Sequence, residues 1–332
     1  MKYFKVIAPL LILLFLLLGN LSTPIKHRET EFLMDTVVTV TAYGNEGKAA
    51  VQKVFLRLRE LDAKFNAHSE KSELAKINTA PENTPVPVDK EAFKLIKSAH
   101  DFSITAEGFF DITLLPLSNL WGFGTENTAV PTENELENAM KQVGFTFISL
   151  DPENCTVTKH KAGIQLDLGA VVKGYAADEA MHILKESGVE SAYLDLGGNV
   201  AVMGGMPQSL WKRILSGQKT RPFVIGLQEP GAPSGTAIDT LSLTDGFIVT
   251  SGDYERFFEA DGMRYHHILD PATGKPAQSS LRSVTIVSKN GLMADMLSTA
   301  LFVAGEKEMS ALYDLCEHVI TINDAMELTY VK

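Results

Sequence analysis

The order of local patterns along the chain constrains its fold more than any single motif. Segments with helical periodicity and segments with strand character follow one another without regular βαβα alternation. That order argues against a doubly wound parallel sheet. It predicts an α+β fold with mixed or antiparallel sheets and packed helices. Residues 32–43 read as one strand rich in β-branched side chains, ended by Gly44. Residues 48–66 read as an amphipathic helix, with Val51, Val54, Phe55, Leu58, Leu61 and Phe65 at spacings of three and four. A Pro-rich stretch at 81–87 precedes a second helix near 89–105. Thr132 and Glu135 stand in capping-box spacing and open a third helix, which Gly144 closes. A short strand is expected at 164–168, then a helix ending near Gly188, then a strand at 192–196.

The second half is mostly β. Strands are expected at 223–227, 238–243, 247–251, 254–259, 263–268 and 283–288, with Asp261-Gly262 as a hairpin turn. Helices at 292–303 and 306–315 precede closing strands at 318–322 and 327–331. No repeat, low-complexity tract or interdomain linker interrupts residues 30–332, which are expected to form one domain.

Composition removes several classes of function. Hydrophobic residues make up 45% of the chain and charged residues 21%, enough apolar material for a sizeable core. The formal net charge of −11 argues against a nucleic-acid binder. Cys155 and Cys316 are the two cysteines, and neither sits in a CxxC pattern. A cysteine-rich zinc site and a disulfide-dense scaffold are therefore excluded, while a single disulfide or two free thiols both remain open.

Residues 1–22 carry an export signal. Lys2 and Lys5 precede an almost wholly aliphatic run at 6–18, interrupted by Pro9. The charge order keeps the first residues cytoplasmic and sends the remainder outward. The segment is either a signal peptide or an N-terminal anchor, and the chain is expected to be extracytoplasmic and tethered to the membrane. Asn20 stands where a lipoprotein would carry cysteine.

Four constellations carry chemistry. In residues 166–178 a strand runs through Gly169 and Ala170 into a helix whose N-terminus favours an anion. Lys173 in its first turn opposes the helix dipole unless an anion lies between them. In residues 294–300, Asp295 and Thr299 share a helix face and offer oxygen ligands to a hard cation such as Mg²⁺. In residues 267–274 a histidine-bearing strand enters an Asp-Pro turn, and alternation sends His266 and His267 to opposite faces. In residues 107–113, Phe109 and Phe110 beside Asp111 would frame a flat ring and bond its edge. Each pattern also has an ordinary structural reading: a solvated lysine, a helix-start aspartate, a core histidine and plain core packing.

Together, in this order, these segments resemble the FAD:protein FMN transferase (ApbE) family. The matching stretches are 34–36, 108–113, 119–124, 167–178, 195–199, 250–254, 267–274 and 294–300. The resemblance implies a T-fold-like α+β domain with FAD in a central cleft. It implies an exported, Mg²⁺-dependent transferase that moves FMN from FAD to a threonine or serine hydroxyl of a partner protein and releases AMP. Typical partners are subunits of membrane redox complexes and other exported flavoproteins. By resemblance, the Ala170 carbonyl, Asp295, Thr299 and Ser298 bind Mg²⁺. Met34, Phe109, Phe110, Asp111, Asp167 and Lys173 contact FAD, and His267 matches the motif histidine. The proton of the acceptor hydroxyl goes to His267 or Asp295, and the sequence leaves both open. Two other readings use the same residues: a Mg²⁺-dependent FAD pyrophosphatase, and a non-catalytic extracytoplasmic flavin-binding protein.

Overall fold

The computed structural model describes residues 24–305 and 309–332. Its centre is an eight-stranded sheet in which every neighbour is antiparallel. The strands are β1 (Lys26–Leu33), β2 (Thr36–Tyr43), β3 (Ser191–Leu196), β4 (Asn199–Met203), β5 (Gly246–Gly252), β6 (Leu281–Ser288), β7 (His318–Asn323) and β8 (Leu328–Tyr330). Their order across the sheet is their order along the chain, with helices and small sheets inserted between neighbours. The fold is α+β, as the irregular succession of patterns predicts.

Four helices position the site: α1 (Gly47–Phe65), α2 (Lys90–Thr105), α3 (Val172–Glu186) and α4 (Gly291–Ala304). The apolar face of α1 is fully buried at Val51, Val54, Leu58 and Leu61. It packs on β1, β2 and α3. Helix α4 is apolar nearly all round, and it lies between β5, β6 and α3. The main core lies on this face of the sheet. On the other face, strands Phe223–Gln228 and Ala237–Leu243 form a two-stranded sheet whose Phe223, Ile225 and Leu227 pack on Val200, Val202 and Ile248.

Several expectations need correction. Residues 32–43 are not one strand but the end of β1, a two-residue turn at Met34-Asp35, and β2. Both turn residues have positive φ, 53° and 57°, the twist that a tight hairpin demands. Residues 164–168 form no strand; Gln165 makes only an isolated bridge to Leu114. The third helix, Glu133–Met140, has its capping box but ends before Gly144. Of the helix expected at 306–315, residues 306–308 lie outside the described residues, and the helix observed is Ser310–Tyr313. Short helices at Glu73–Thr79, Leu115–Trp121 and Leu210–Ser216 escaped the periodicity. Cys155 and Cys316 are both free. Among the described residues no helix is long and apolar enough to cross a membrane, and the apolar run at 6–18 lies outside them.

Candidate functional site

The site is built where α3 crosses α4. Two glycines permit the approach. A Cβ on Gly291 would stand 2.7 Å from the Gly174 carbonyl oxygen, and a Cβ on Gly174 would strike the Gly291 carbonyl in turn. With the backbones this close, each helix caps the other. Asp295 Oδ2 of α4 accepts the Gly174 N–H at 2.8 Å. Asp178 of α3 accepts the Gly291 and Leu292 N–H groups, one on each oxygen, both at 2.8 Å. Both carboxylates therefore satisfy amides that a helix start leaves unpaired. Burial pushes the Asp178 carboxyl up, against the pull of these two amides.

This exchange has a consequence for Ala170. The Gly174 N–H, which would otherwise turn back to Ala170, is taken by Asp295. Among the described residues the Ala170 carbonyl accepts no hydrogen bond. A carbonyl with no partner among the described residues thus stands one turn before the amide that Asp295 caps, and Asp295 is 3% exposed. Thr299 Oγ1 lies 3.3 Å from the Asp295 carbonyl oxygen and 3.4 Å from Ser251 Oγ. Ser298 Oγ donates to the Asp295 carbonyl at 3.0 Å and lies 2.9 Å from Ser251 Oγ. Ser251, at the end of β5, is a member of this hydroxyl group that sequence reasoning quoted but gave no role.

These donors are all oxygen, and only one is a carboxylate. Among the described residues no cluster of three or more His, Cys, Asp or Glu could hold a metal. The set does not suit a self-sufficient protein cage. It does suit Mg²⁺, which keeps most of its shell as water and substrate phosphate and needs one or two protein oxygens.

A second group of residues forms a corner around His267. His267 Nδ1 lies 3.2 Å from the Arg256 carbonyl oxygen, and its backbone N–H donates to the same carbonyl at 3.0 Å. That contact assigns the ring proton to Nδ1 and leaves Nε2 with a lone pair. Burial, with Arg256 and Lys173 adding positive charge, holds the imidazole down to about 3. Arg256 Nη2 donates to the Asp35 carbonyl at 3.2 Å, so the corner is tied to the β1–β2 turn that carries Met34. Burial pushes the Glu255 carboxyl up, against the pull of Lys173 and Arg256. Lys173 Nζ reaches the Gly169 carbonyl at 3.2 Å. His266 points the other way, as alternation requires. It is buried, with Nε2 3.0 Å from the Ala277 carbonyl and its ring edge-on to Phe302.

The aromatic constellation divides. Phe109 lines a cleft of about 700 Å³, together with Thr273, Lys275, Gln278, Ser279 and Val303. Phe110 is buried in the core, edge-on to Phe102 at 5.2 Å. Asp111 is committed internally: Oδ1 accepts from the Thr113 N–H and hydroxyl at 2.7 Å each, and Oδ2 accepts the Phe145 N–H at 3.0 Å. Burial nevertheless pushes its carboxyl up. Asp167 Oδ1 accepts the Gly169 N–H at 2.8 Å and so shapes the turn that presents Ala170. The α3–α4 crossing therefore gathers Asp295, Ser298, Thr299 and the turn that carries Ala170. Met34 joins the His267 corner through its hairpin, and Lys173 is near enough for its charge to act on that ring. Phe110 stands apart in the core.

Comparison with known proteins places the fold. The architecture is that of solved flavin transferases. The structure of the ApbE protein of Thermotoga maritima superimposes with a TM-score of 0.82 at 34% identity, covering 92% of this chain and 97% of that one. The flavin transferase ApbE from Vibrio cholerae gives 0.77 at 26% identity, covering 92% and 96%. A family model described as the ApbE family matches residues 34–321, and the chain belongs to that family. Among curated relatives, the FAD:protein FMN transferase of Treponema pallidum (strain Nichols) is 33% identical over 296 residues, 86% of this chain and 81% of the relative. That of Klebsiella pneumoniae (strain 342) is 33% identical over 281 residues, 84% and 83%.

Proposed function

We propose that this chain is an FAD:protein FMN transferase that works outside the cytoplasm, with Mg²⁺, on a threonine or serine hydroxyl of an exported or membrane flavoprotein. The observation that carries the reading is the Ala170 carbonyl, without a partner among the described residues, one turn before the Gly174 amide that Asp295 caps at the α3–α4 crossing. An all-oxygen set at a helix start, with Lys173 in the first turn, suits a diphosphate that brings its own cation. Ala170, Asp295 and Thr299 would hold that ion, with Ser298 behind them. When bound, it supplies charge neutralisation across the phosphate oxygens as the P–O bond breaks.

The chain's own residues do the rest. Lys173, in the first turn of α3, places fixed positive potential at the diphosphate. Phe109 lines the neighbouring cleft. Met34, Asp111 and Asp167 shape the surrounding turns, and Phe110 supports them from the core. The acceptor oxygen attacks the phosphorus on the flavin side and forms the new P–O bond. The bond to the AMP phosphate breaks, and AMP leaves with that electron pair. His267 Nε2 takes the acceptor proton, because Asp295 already has one oxygen on Gly174. An imidazole held neutral by burial and by neighbouring positive charge is open to a proton, and an arriving diphosphate offsets that charge.

The test combines the protein with FAD, Mg²⁺ and an exported flavoprotein domain carrying an acceptor threonine. An acceptor mass gain equal to FMN, abolished by EDTA, is expected. Free FMN and AMP with an acceptor unmodified across several domains would favour the pyrophosphatase. Intact FAD throughout would favour a binding protein. The apolar run at 6–18 supports export and attachment at the membrane surface.

A further inference from the structure

Between Asp195 and Glu229 the sequence contains no aspartate or glutamate, yet it carries Lys212, Arg213, Lys219 and Arg221. In a chain of net charge −11 this is a local reversal of sign. The structure gathers the four cations in one excursion between β4 and the Phe223–Gln228 strand. Its base is a short antiparallel pair, with Met206 opposite Arg221 and Pro207 opposite Thr220. Gln208 braces it, donating its backbone N–H to the Lys219 carbonyl at 3.0 Å and its side-chain amide to the Thr220 carbonyl at 3.2 Å. On this stem stands the helix Leu210–Ser216, closed by Gly217 in the left-handed conformation.

None of that helix's residues is buried. Leu215 is 85% exposed and Ile214 57% exposed, beside half-buried Trp211. Among the described residues none of the four cations forms an ion pair. Arg221 turns instead to Met206 Sδ, at 3.3 Å. A helix that exposes leucine and isoleucine beside a half-buried tryptophan, among lysine and arginine with no ion pair among the described residues, has the makeup of an element lying in a bilayer interface.

Position selects the partner. The described chain enters the sheet at Lys26, opposite Tyr43. Tyr43 pairs with Ser191, Ala192 faces Met203, and the excursion starts directly after Met203. The entry of β1 and the basic excursion therefore share one end of the sheet. The Met34-Asp35 and Gly197-Gly198 turns lie at the other end, roughly 25 Å away for a strand of this length. An apolar segment in the sequence before β1 and an apolar, cationic knob would thus meet one surface together.

We propose that the Leu210–Ser216 excursion docks on an anionic lipid surface. Ile214, Leu215 and Trp211 enter the interface, and Lys212, Arg213, Lys219 and Arg221 face the headgroups. This is a binding surface separate from the flavin chemistry, and it aims the opposite end of the sheet away from the bilayer.

The chain holds two tryptophans, and the other, Trp121, is buried. Trp211 therefore reports locally, whatever the N-terminal segment does. The full chain would be mixed with phosphatidylglycerol–phosphatidylcholine vesicles and with pure phosphatidylcholine vesicles, each containing brominated lipid. Expected are a blue shift and quenching of Trp211 on the anionic vesicles, absent in Trp211→Phe and relieved by high salt. The double variant Lys212→Gln/Arg213→Gln should need roughly tenfold more anionic lipid or beyond for half-quenching. Leu215→Ser should weaken it as well. Unquenched Trp211 on anionic vesicles would overturn the proposal, as would equal quenching on neutral ones. Cross-linking of position 215 to an acidic acceptor domain, with Trp211 silent on lipid, would reassign the surface to a protein.

Discussion

The α3–α4 crossing and the His267 corner sit in one protein but are built in opposite ways. At the crossing, two helices meet through glycine, and each carboxylate bonds the other helix's amides. Nothing there can move without leaving a buried polar group unpaired. The corner rests on side chains reaching backbone carbonyls across loops: His267 to Arg256, and Arg256 to Asp35. Its parts are partly exposed, and its ties run through one or two hydrogen bonds to a loop carbonyl. The difference teaches a division of labour. The part that would hold a diphosphate has no slack, while the part that must admit a second protein's hydroxyl is adjustable.

Substitutions test that contrast. Asp295→Ala strikes the rigid side at its centre and should lower metal-dependent transfer by roughly a thousandfold, the scale of losing a preorganised electrostatic group. FAD binding, read by fluorescence titration, should largely persist; unchanged turnover would remove Asp295 from the site. Gly174→Ala should cost about 3 kcal/mol by forcing the helices apart, seen as a lower midpoint of thermal unfolding. A tolerated alanine there would mean that the crossing is looser than its contacts imply.

On the adjustable side the expected effects are smaller. His267→Ala should slow transfer by roughly a hundredfold with little change in melting temperature. Wild-type rates across the pH range would dismiss it as the base. The corner should also show in the acid limb of stability. His267 titrates lower when folded than an ordinary histidine. The unfolded chain therefore binds the proton first as pH falls, and stability drops below about pH 6.5. His267→Gln should flatten that slope, measured by urea unfolding at several pH values.

The sequence made much of this legible. The periodicity of α1 and the capping box of Glu133–Met140 were local signals, and the structure places them as expected. So was the Asp261-Gly262 hairpin. Asp295 and Thr299 were readable as a pair because four residues make one helical face. What the sequence hid was relational. The exchange of carboxylates between Asp178 and Asp295 depends on how two distant helices cross, and no periodicity encodes a crossing. Met34-Asp35 lacks the usual Asn-Gly signal, so a hairpin read as one strand. Phe110 and Asp111 read as pocket residues, and the core contact and three internal hydrogen bonds that the structure gives them are announced by no local pattern.

The register of β2 also bears on how the molecule is made. Val38 pairs with Leu196, so the inner edge of the first hairpin waits for a partner about half the chain further on. Non-local pairing of this kind is slow, because a long loop must close before any contact rewards it. During synthesis the hairpin edge stays open until most of the protein has emerged. Under the export proposed for this chain the delay is useful, since an unpaired hairpin leaves the chain translocatable until late. It also carries an exposed strand edge for the same interval, which makes the nascent protein a client for whatever shields such edges before the partner strand arrives.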